Sequence, residues 1–175
     1  GYLRSRLPFC PTKTIRLDLT LSYPELLART TEDVRRYLRQ NEKEAFEMRH
    51  DQTLGEFYPI LRQAARANHY LVPNLANFKE HWEAFGAKLK IVLAYQNNVP
   101  LGGAMIVCGL NRASGIFMAF TQTGRRSHLP YSLMWETIRM AKDSGCREFD
   151  LDGVYDERYR APNAWKGLSV FKKKF

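Results

Sequence analysis

The side chains with chemistry to offer cluster in the last third of the chain. Asp150 and Asp152 lie two apart in Arg147-Glu-Phe-Asp-Leu-Asp152, a strand-like stretch, so both point to one sheet face. That geometry could orient a base, handle a proton or hold a cation; a solvated strand end or a helix cap gives the same pattern. Thr121-Gln-Thr-Gly-Arg-Arg-Ser-His-Leu-Pro130 joins a strand to a helix and holds Gly124 beside Arg125 and Arg126. Such a turn can bring backbone N–H groups and guanidinium donors to a phosphate, or be only a basic loop. The run Trp165-Lys-Gly-Leu-Ser-Val-Phe-Lys-Lys-Lys-Phe175 sets three lysines among aromatic rings. Lysines neutralise phosphates and rings stack on unpaired bases, although a basic tail with Phe171 and Phe175 tucked into the core has the same composition.

Other chemistries are poorly served. His50, His69, His81 and His128 form no H-E-x-x-H and no i, i+4 pair, so no metal site is expected. Ser132 lacks a G-x-S-x-G setting, and Cys108 and Cys146 sit beside no histidine; both cysteines read as core.

The elements that must position these groups follow from periodicity. Thr14-Ile-Arg-Leu-Asp-Leu19 alternates as a half-buried strand, and Ser22 with Glu25 has capping-box spacing for a helix running, with breaks, to about Lys43. Arg29, Arg35, Arg36 and Arg39 fall mostly near one face of it. A short strand is expected within Glu44–Arg49, then helices over Leu54–Ala67 and near Pro73–Phe85. Residues 88–121 read as an antiparallel meander turning at Gln96-Asn-Asn98 and Asn111-Arg112. A helix from about Pro130 to Ser144 stops at Gly145, and the Asp150 strand follows. Strands, helix and strand in this order imply an α/β (α+β) sheet.

With 175 residues, the chain is sized for one domain. Its 45% hydrophobic and 13% aromatic content suits a packed core rather than disorder. No apolar run approaches the roughly 20 residues of a membrane span. The start, Gly1 to Arg6, lacks an initiator Met and a signal-peptide apolar stretch, which reads as a processed or excised piece. Three widely spaced cysteines disfavour a disulfide framework and make a cytoplasmic setting the default. A net charge of +9 favours polyanionic partners: nucleic acid, nucleotides or acidic lipid headgroups.

Beyond these physical readings, the chain resembles the FemABX family of peptidoglycan bridge-forming aminoacyltransferases, built from two GNAT-like units. The resemblance rests on Thr14–Leu19 with Arg35-Arg-Tyr-Leu-Arg39, and on Leu93-Ala-Tyr-Gln-Asn-Asn-Val-Pro-Leu-Gly-Gly-Ala104. It continues through Gly124–Tyr131, Trp135–Gly145, Phe149-Asp-Leu-Asp-Gly153 and Gly167-Leu-x-x-Phe171-Lys172, in the family's order. It spans about residues 12–175. It implies a GNAT-like acyltransferase fold, a mixed and mostly antiparallel sheet flanked by helices. The chain would be the second of the two units, with residues 1–20 a strand and connector from the first.

The implied activity is transfer of an amino acid from aminoacyl-tRNA, as co-substrate, to the stem-peptide amine of a UDP-linked or lipid-linked muropeptide precursor. Contact with the membrane surface would then be peripheral, and no cofactor is needed. By the same resemblance Lys172 and Phe171 are the catalytic pair beside the tRNA acceptor end. Lys173, Lys174, Trp165 and Arg160 would bind tRNA. Arg125, Arg126, Tyr131, Arg36, Arg39 and Tyr70 would meet substrate and its phosphates, with Asp150 and Asp152 in reserve for proton handling. Where family members carry an arginine before the proline of the second helix, this chain has Val72, so either Arg66, Tyr70 or Arg125 takes over those phosphates or the acceptor differs. The alternatives are an acyl-CoA-dependent N-acetyltransferase, whose Q/R-x-x-G-x-G/A turn is poorly matched by Gln122–Ser127, and a non-catalytic module for RNA or an anionic surface.

Overall fold

A computed structural model describes residues 12–158 and 164–175. One six-stranded sheet organises them. In chain order the elements are β1 (Thr14–Asp18), α1 (Tyr23–Arg29), α2 (Glu32–Glu42), β2 (Glu47–Arg49), α3 (Leu54–Ala67) and α4 (Leu75–Glu83). Then come β3 (Leu89–Gln96), β4 (Val99–Cys108), β5 (Arg112–Phe120), α5 (Gln122–Arg126), α6 (Leu129–Asp143), β6 (Glu148–Gly153) and α7 (Ala164–Lys172). The strand order is β1-β6-β5-β4-β3-β2. Every neighbouring pair is antiparallel except β5 and β6, which run parallel. The expected meander of residues 88–121 is present as β3, β4 and β5. Strand β1, expected to come from a preceding unit, pairs with β6 at this sheet's edge.

Period-two alternation in β3 and β4 buries both faces. Val92, Ala94, Ala104 and Ile106 join Leu133 and Ile138 of α6 on one side. Ile91, Leu93 and Met105 join Phe57 and Leu61 of α3 and Phe78 of α4 on the other. Each such large apolar side chain contributes about 1.5–3 kcal/mol by leaving water. Cys108 and Cys146 are both in the core, and burial pushes the Cys146 thiol up to about 11.

Several boundaries differ from the periodicity, each for a local reason. The Ser22–Glu25 capping box is present, yet the helix it starts breaks after Arg29. Thr30 and Thr31 are both extended, and the Arg35 guanidinium donates to the Thr30 carbonyl, closing the gap between α1 and α2. Helix α4 begins at Leu75 rather than at Pro73, because the Asn74 side chain accepts from the Asn77 N–H at 3.0 Å. Helix α6 ends as expected: Gly145 has φ +82° and the Cys146 N–H reaches the Ala141 carbonyl at 3.2 Å. The linking turn expected within residues 121–130 is instead largely helical, as α5; the C-terminal run enters helix α7, and Phe171 and Phe175 pack against the core as its composition allowed.

Candidate active site

The site begins where β5 and β6 part. Their parallel ladder has three pairs, Arg112↔Glu148, Ala113↔Phe149 and Ser114↔Asp150, and then the strands diverge. At the divergence β5 carries one extra residue, Ile116, between the pairs Met105↔Phe117 and Ile106↔Gly115. Such a bulge bends a strand and leaves the extra residue unpaired, a device found beside active sites. The resulting wedge holds a cavity of about 230 Å³ lined by Gly115, Ile116, Met118, Phe149 and Leu151, with Phe171 and Lys172 of α7 as its far wall.

Helix α7 is clamped against the end of β6 by side chains one turn apart. Ser169 Oγ accepts from the Tyr155 N–H at 2.6 Å, and Lys172 Nζ donates to the Gly153 carbonyl at 2.8 Å. Lys172 is only 6% exposed. Burial lowers its pKa below the ordinary 10.5, while the charges of Asp152 and Asp150 pull it back up. An ammonium has three donors. Among the described residues one is spent on Gly153, so the others can serve a group in the cavity.

The acidic pair does not act as two equivalent carboxylates. Asp150 is half-buried and pairs with Arg16 Nε at 3.7 Å. Asp152 takes a left-handed φ of +64° and donates its N–H to Asp150 Oδ1 at 2.9 Å. Together they form the negative counter-field of Lys172.

The three successive lysines have three environments. Lys172 is in the cavity wall and Lys173 is exposed. Lys174 turns back to Asp33 Oδ2 at 3.0 Å and to the Tyr131 hydroxyl at 3.4 Å, and the bond to Asp33 raises its pKa. Tyr131 stacks on Tyr37 at 4.6 Å and meets Phe171 edge-on at 5.3 Å, and Phe171 meets Phe175 at 5.5 Å. This aromatic ladder ties α2, α6 and α7 together and fixes Phe171 at the cavity.

The proposed phosphate binders separate into two groups. Asp33 links Arg36, at 2.7 Å, to Lys174 and thereby to Tyr131, with Arg39 exposed further along α2. Arg125 lies on α5, 3.5 Å from Asn68 Oδ1, and faces Tyr70, whose pKa is raised by burial and lowered by Arg125. Arg126 is exposed beside it. Arg160 lies outside the described residues, as does the side chain of Trp165. Periodicity missed the bulge at Ile116 and the Ser169 clamp. The bulge had a signal, a lone glycine, Gly115, inside a strand pattern; Ser169 had none.

The acetyltransferase (GNAT) domain profile matches residues 28–161. The chain belongs to the GNAT acetyltransferase family. No curated protein matches it. Among solved structures, this GNAT domain is similar to FemX, with a TM-score of 0.80 at 12% identity over 91% of this chain and 57% of that one. The C-terminal domain of a putative lysylphosphatidylglycerol synthetase from Agrobacterium fabrum gives 0.64 at 14% identity, over 92% of this chain and 55% of that one. An aminoglycoside acetyltransferase, meta-AAC0020, from an uncultured soil metagenomic sample, gives 0.53 at 12%, over 73% and 85%. At these identities the likeness is one of fold. This GNAT domain spans a little over half the length of the first two.

An acyl-CoA donor would ask the segment after β5 for free backbone N–H groups around its pyrophosphate. Here three of those groups are already used. The Gly124 N–H donates to Thr121 Oγ1 at 3.1 Å, Arg125 N–H to the Thr121 carbonyl at 3.1 Å and Ser127 N–H to the Thr123 carbonyl at 3.1 Å. A Cβ at Gly124 would run into the Leu101 carbonyl oxygen, so this glycine serves close packing of α5 on β4.

Proposed function

We propose that this GNAT domain transfers an amino acid from aminoacyl-tRNA to the amine of a peptidoglycan stem peptide, the FemABX reaction. One observation carries the reading: the segment that would cradle a CoA pyrophosphate is closed into helix α5, while the wedge beside it ends on the buried cation Lys172. The likeness to FemX, and to a protein named for making an aminoacylated lipid, supports it.

The chemistry needs little from the protein beyond position and charge. The ester of aminoacyl-tRNA is already activated. The acceptor nitrogen attacks the ester carbonyl, the tetrahedral oxyanion forms, the carbon–oxygen bond to ribose breaks, and the proton lost by nitrogen goes to the ribose oxygen. Lys172, buried in the cavity wall with donors beyond the one given to Gly153, stabilises the oxyanion. Phe171, held by the ladder, packs on the terminal adenosine; Lys173 neutralises backbone phosphate. Asp150 and Asp152 favour the charged form of Lys172 rather than moving protons themselves.

A paired assay tests this reading: labelled aminoacyl-tRNA with a muropeptide precursor in one tube, labelled acetyl-CoA with the same acceptor in the other. Label reaching the acceptor only from tRNA is expected. Label only from CoA would overturn the reading in favour of an acetyltransferase, the activity that the family's name carries. Silence from both donors would leave the binding-module alternative.

A further inference from the structure

The α3–α4 loop has an unusual surface. Leu71 is 100% exposed, Tyr70 is 40% exposed and Leu75 is 37% exposed, three apolar side chains within six residues. The loop that carries them is held on both sides. Before Leu71, the Tyr70 N–H bonds the Ala65 carbonyl at 3.1 Å, Asn68 Nδ2 bonds the Ala64 carbonyl at 2.7 Å, and His69 turns the chain at φ +57°. After it, Val72 packs on the α3 side of the core and the Tyr58 hydroxyl donates to the Pro73 carbonyl at 2.8 Å. Leu71 is therefore presented to solvent by fixed backbone on either side.

The charge on the segments beside this apolar tip is mostly positive. From Phe57 to Trp135 the only acidic residues are Glu80 and Glu83, on the far turn of α4. Arg62 and Arg66 line a groove along α3 that leads to the loop, and Arg125 reaches Asn68 from α5. Helix α5 follows the C-terminal end of β5, the end toward which the β5–β6 wedge opens. An exposed apolar residue on a loop flanked by arginines is complementary to an anionic bilayer: the hydrocarbon side chain enters below the headgroups, tyrosine sits among them, and arginines meet the phosphates.

We propose that the α3–α4 loop docks the protein on the surface of an anionic phospholipid bilayer, with Leu71 as the inserting side chain and Arg62, Arg66 and Arg125 as headgroup contacts. The proposal does not depend on which acyl donor is used. Its test contains no donor, so its failure and that of the transferase reading are separate results.

The experiment is co-sedimentation of the chain with vesicles of phosphatidylcholine carrying about 30% phosphatidylglycerol, against vesicles of phosphatidylcholine alone. Preferential, salt-sensitive binding to the anionic vesicles is expected. Leu71→Asp should lower that binding on the order of tenfold, and Leu71→Trp should raise it with a blue shift of tryptophan emission. Arg62→Glu should lower binding to the anionic vesicles on the order of fivefold, with little effect on the neutral ones. Because Leu71 is fully exposed, both of its variants should keep the parent circular dichroism and melting temperature. Equal binding by Leu71→Asp and the parent overturns the proposal. So does binding that is lost in Lys173→Glu but unchanged in the Leu71 variants, which would assign it to the C-terminal lysines. A Leu71-dependent dimer in sedimentation velocity without vesicle binding would likewise replace the bilayer with a second copy.

Discussion

Two regions bracket the C-terminal end of β5, and they are built in opposite ways. On one side the strand leaves β6 after three paired residues and opens a cavity with a buried, partly free cation in its wall. On the other it runs directly into α5, where the Thr121 cap takes the Gly124 N–H and Gly124 packs tightly against Leu101. On the proposed reading the open side receives the reacting carbonyl and the helical side has no place for a pyrophosphate. The two sides are made by different segments, so each can be tested without the other.

The comparison can be broken most sharply at Lys172. Lys172→Ala should lower aminoacyl transfer on the order of 100-fold, as removal of an oxyanion donor does, while Lys173→Ala stays within about twofold. Equal losses from the two would dissolve the distinction between cavity and surface. Gly124→Ala should destabilise the fold by roughly 2 kcal/mol in urea titration, since its Cβ meets the Leu101 backbone rather than a flexible side chain.

The pH dependence sharpens the same contrast. Because burial lowers the Lys172 pKa, transfer should fall on the order of tenfold per pH unit once pH passes that lowered value, and this limb should move in Lys172→Arg. Stability has the opposite slope. In the interval below 10.5 the unfolded chain holds a proton that the folded one has released, so stability from this group rises with pH there, as melting curves at successive pH values would record. The smallest effect is expected from Thr121→Ala, a loss of about 1 kcal/mol for the α5 cap. If that variant also gains measurable acetyl-CoA binding by calorimetry, the capped amides are what excludes the nucleotide.

Local signals carried much of the fold and little of the site. The Ser22–Glu25 box, the meander and the Gly145 stop are decided by residues a few positions apart, and all three are present. Helix α5 was hidden because Gly124 between polar residues has the composition of a turn; what makes it helical is contact with Leu101, on another strand. The break at Thr30-Thr31 was visible as two adjacent threonines, but its closure by Arg35 was not. The wedge arises from where two strands stop pairing, and Lys174 meets Asp33 across 141 positions, so neither leaves a local pattern. Lys172 stood out by resemblance; its burial and its Gly153 contact are tertiary facts.

The two core cysteines turn the molecule into its own gauge. With Cys108 at the end of β4 and Cys146 just before β6 both buried, and with burial pushing the Cys146 thiol up to about 11, both should resist an alkylating reagent in the folded state at neutral pH. Any modification of these two positions counts openings of the sheet beneath the wedge. Peptide mapping of alkylation at Cys108 and Cys146 over time would thus time those openings and show whether a substrate in the cavity slows them.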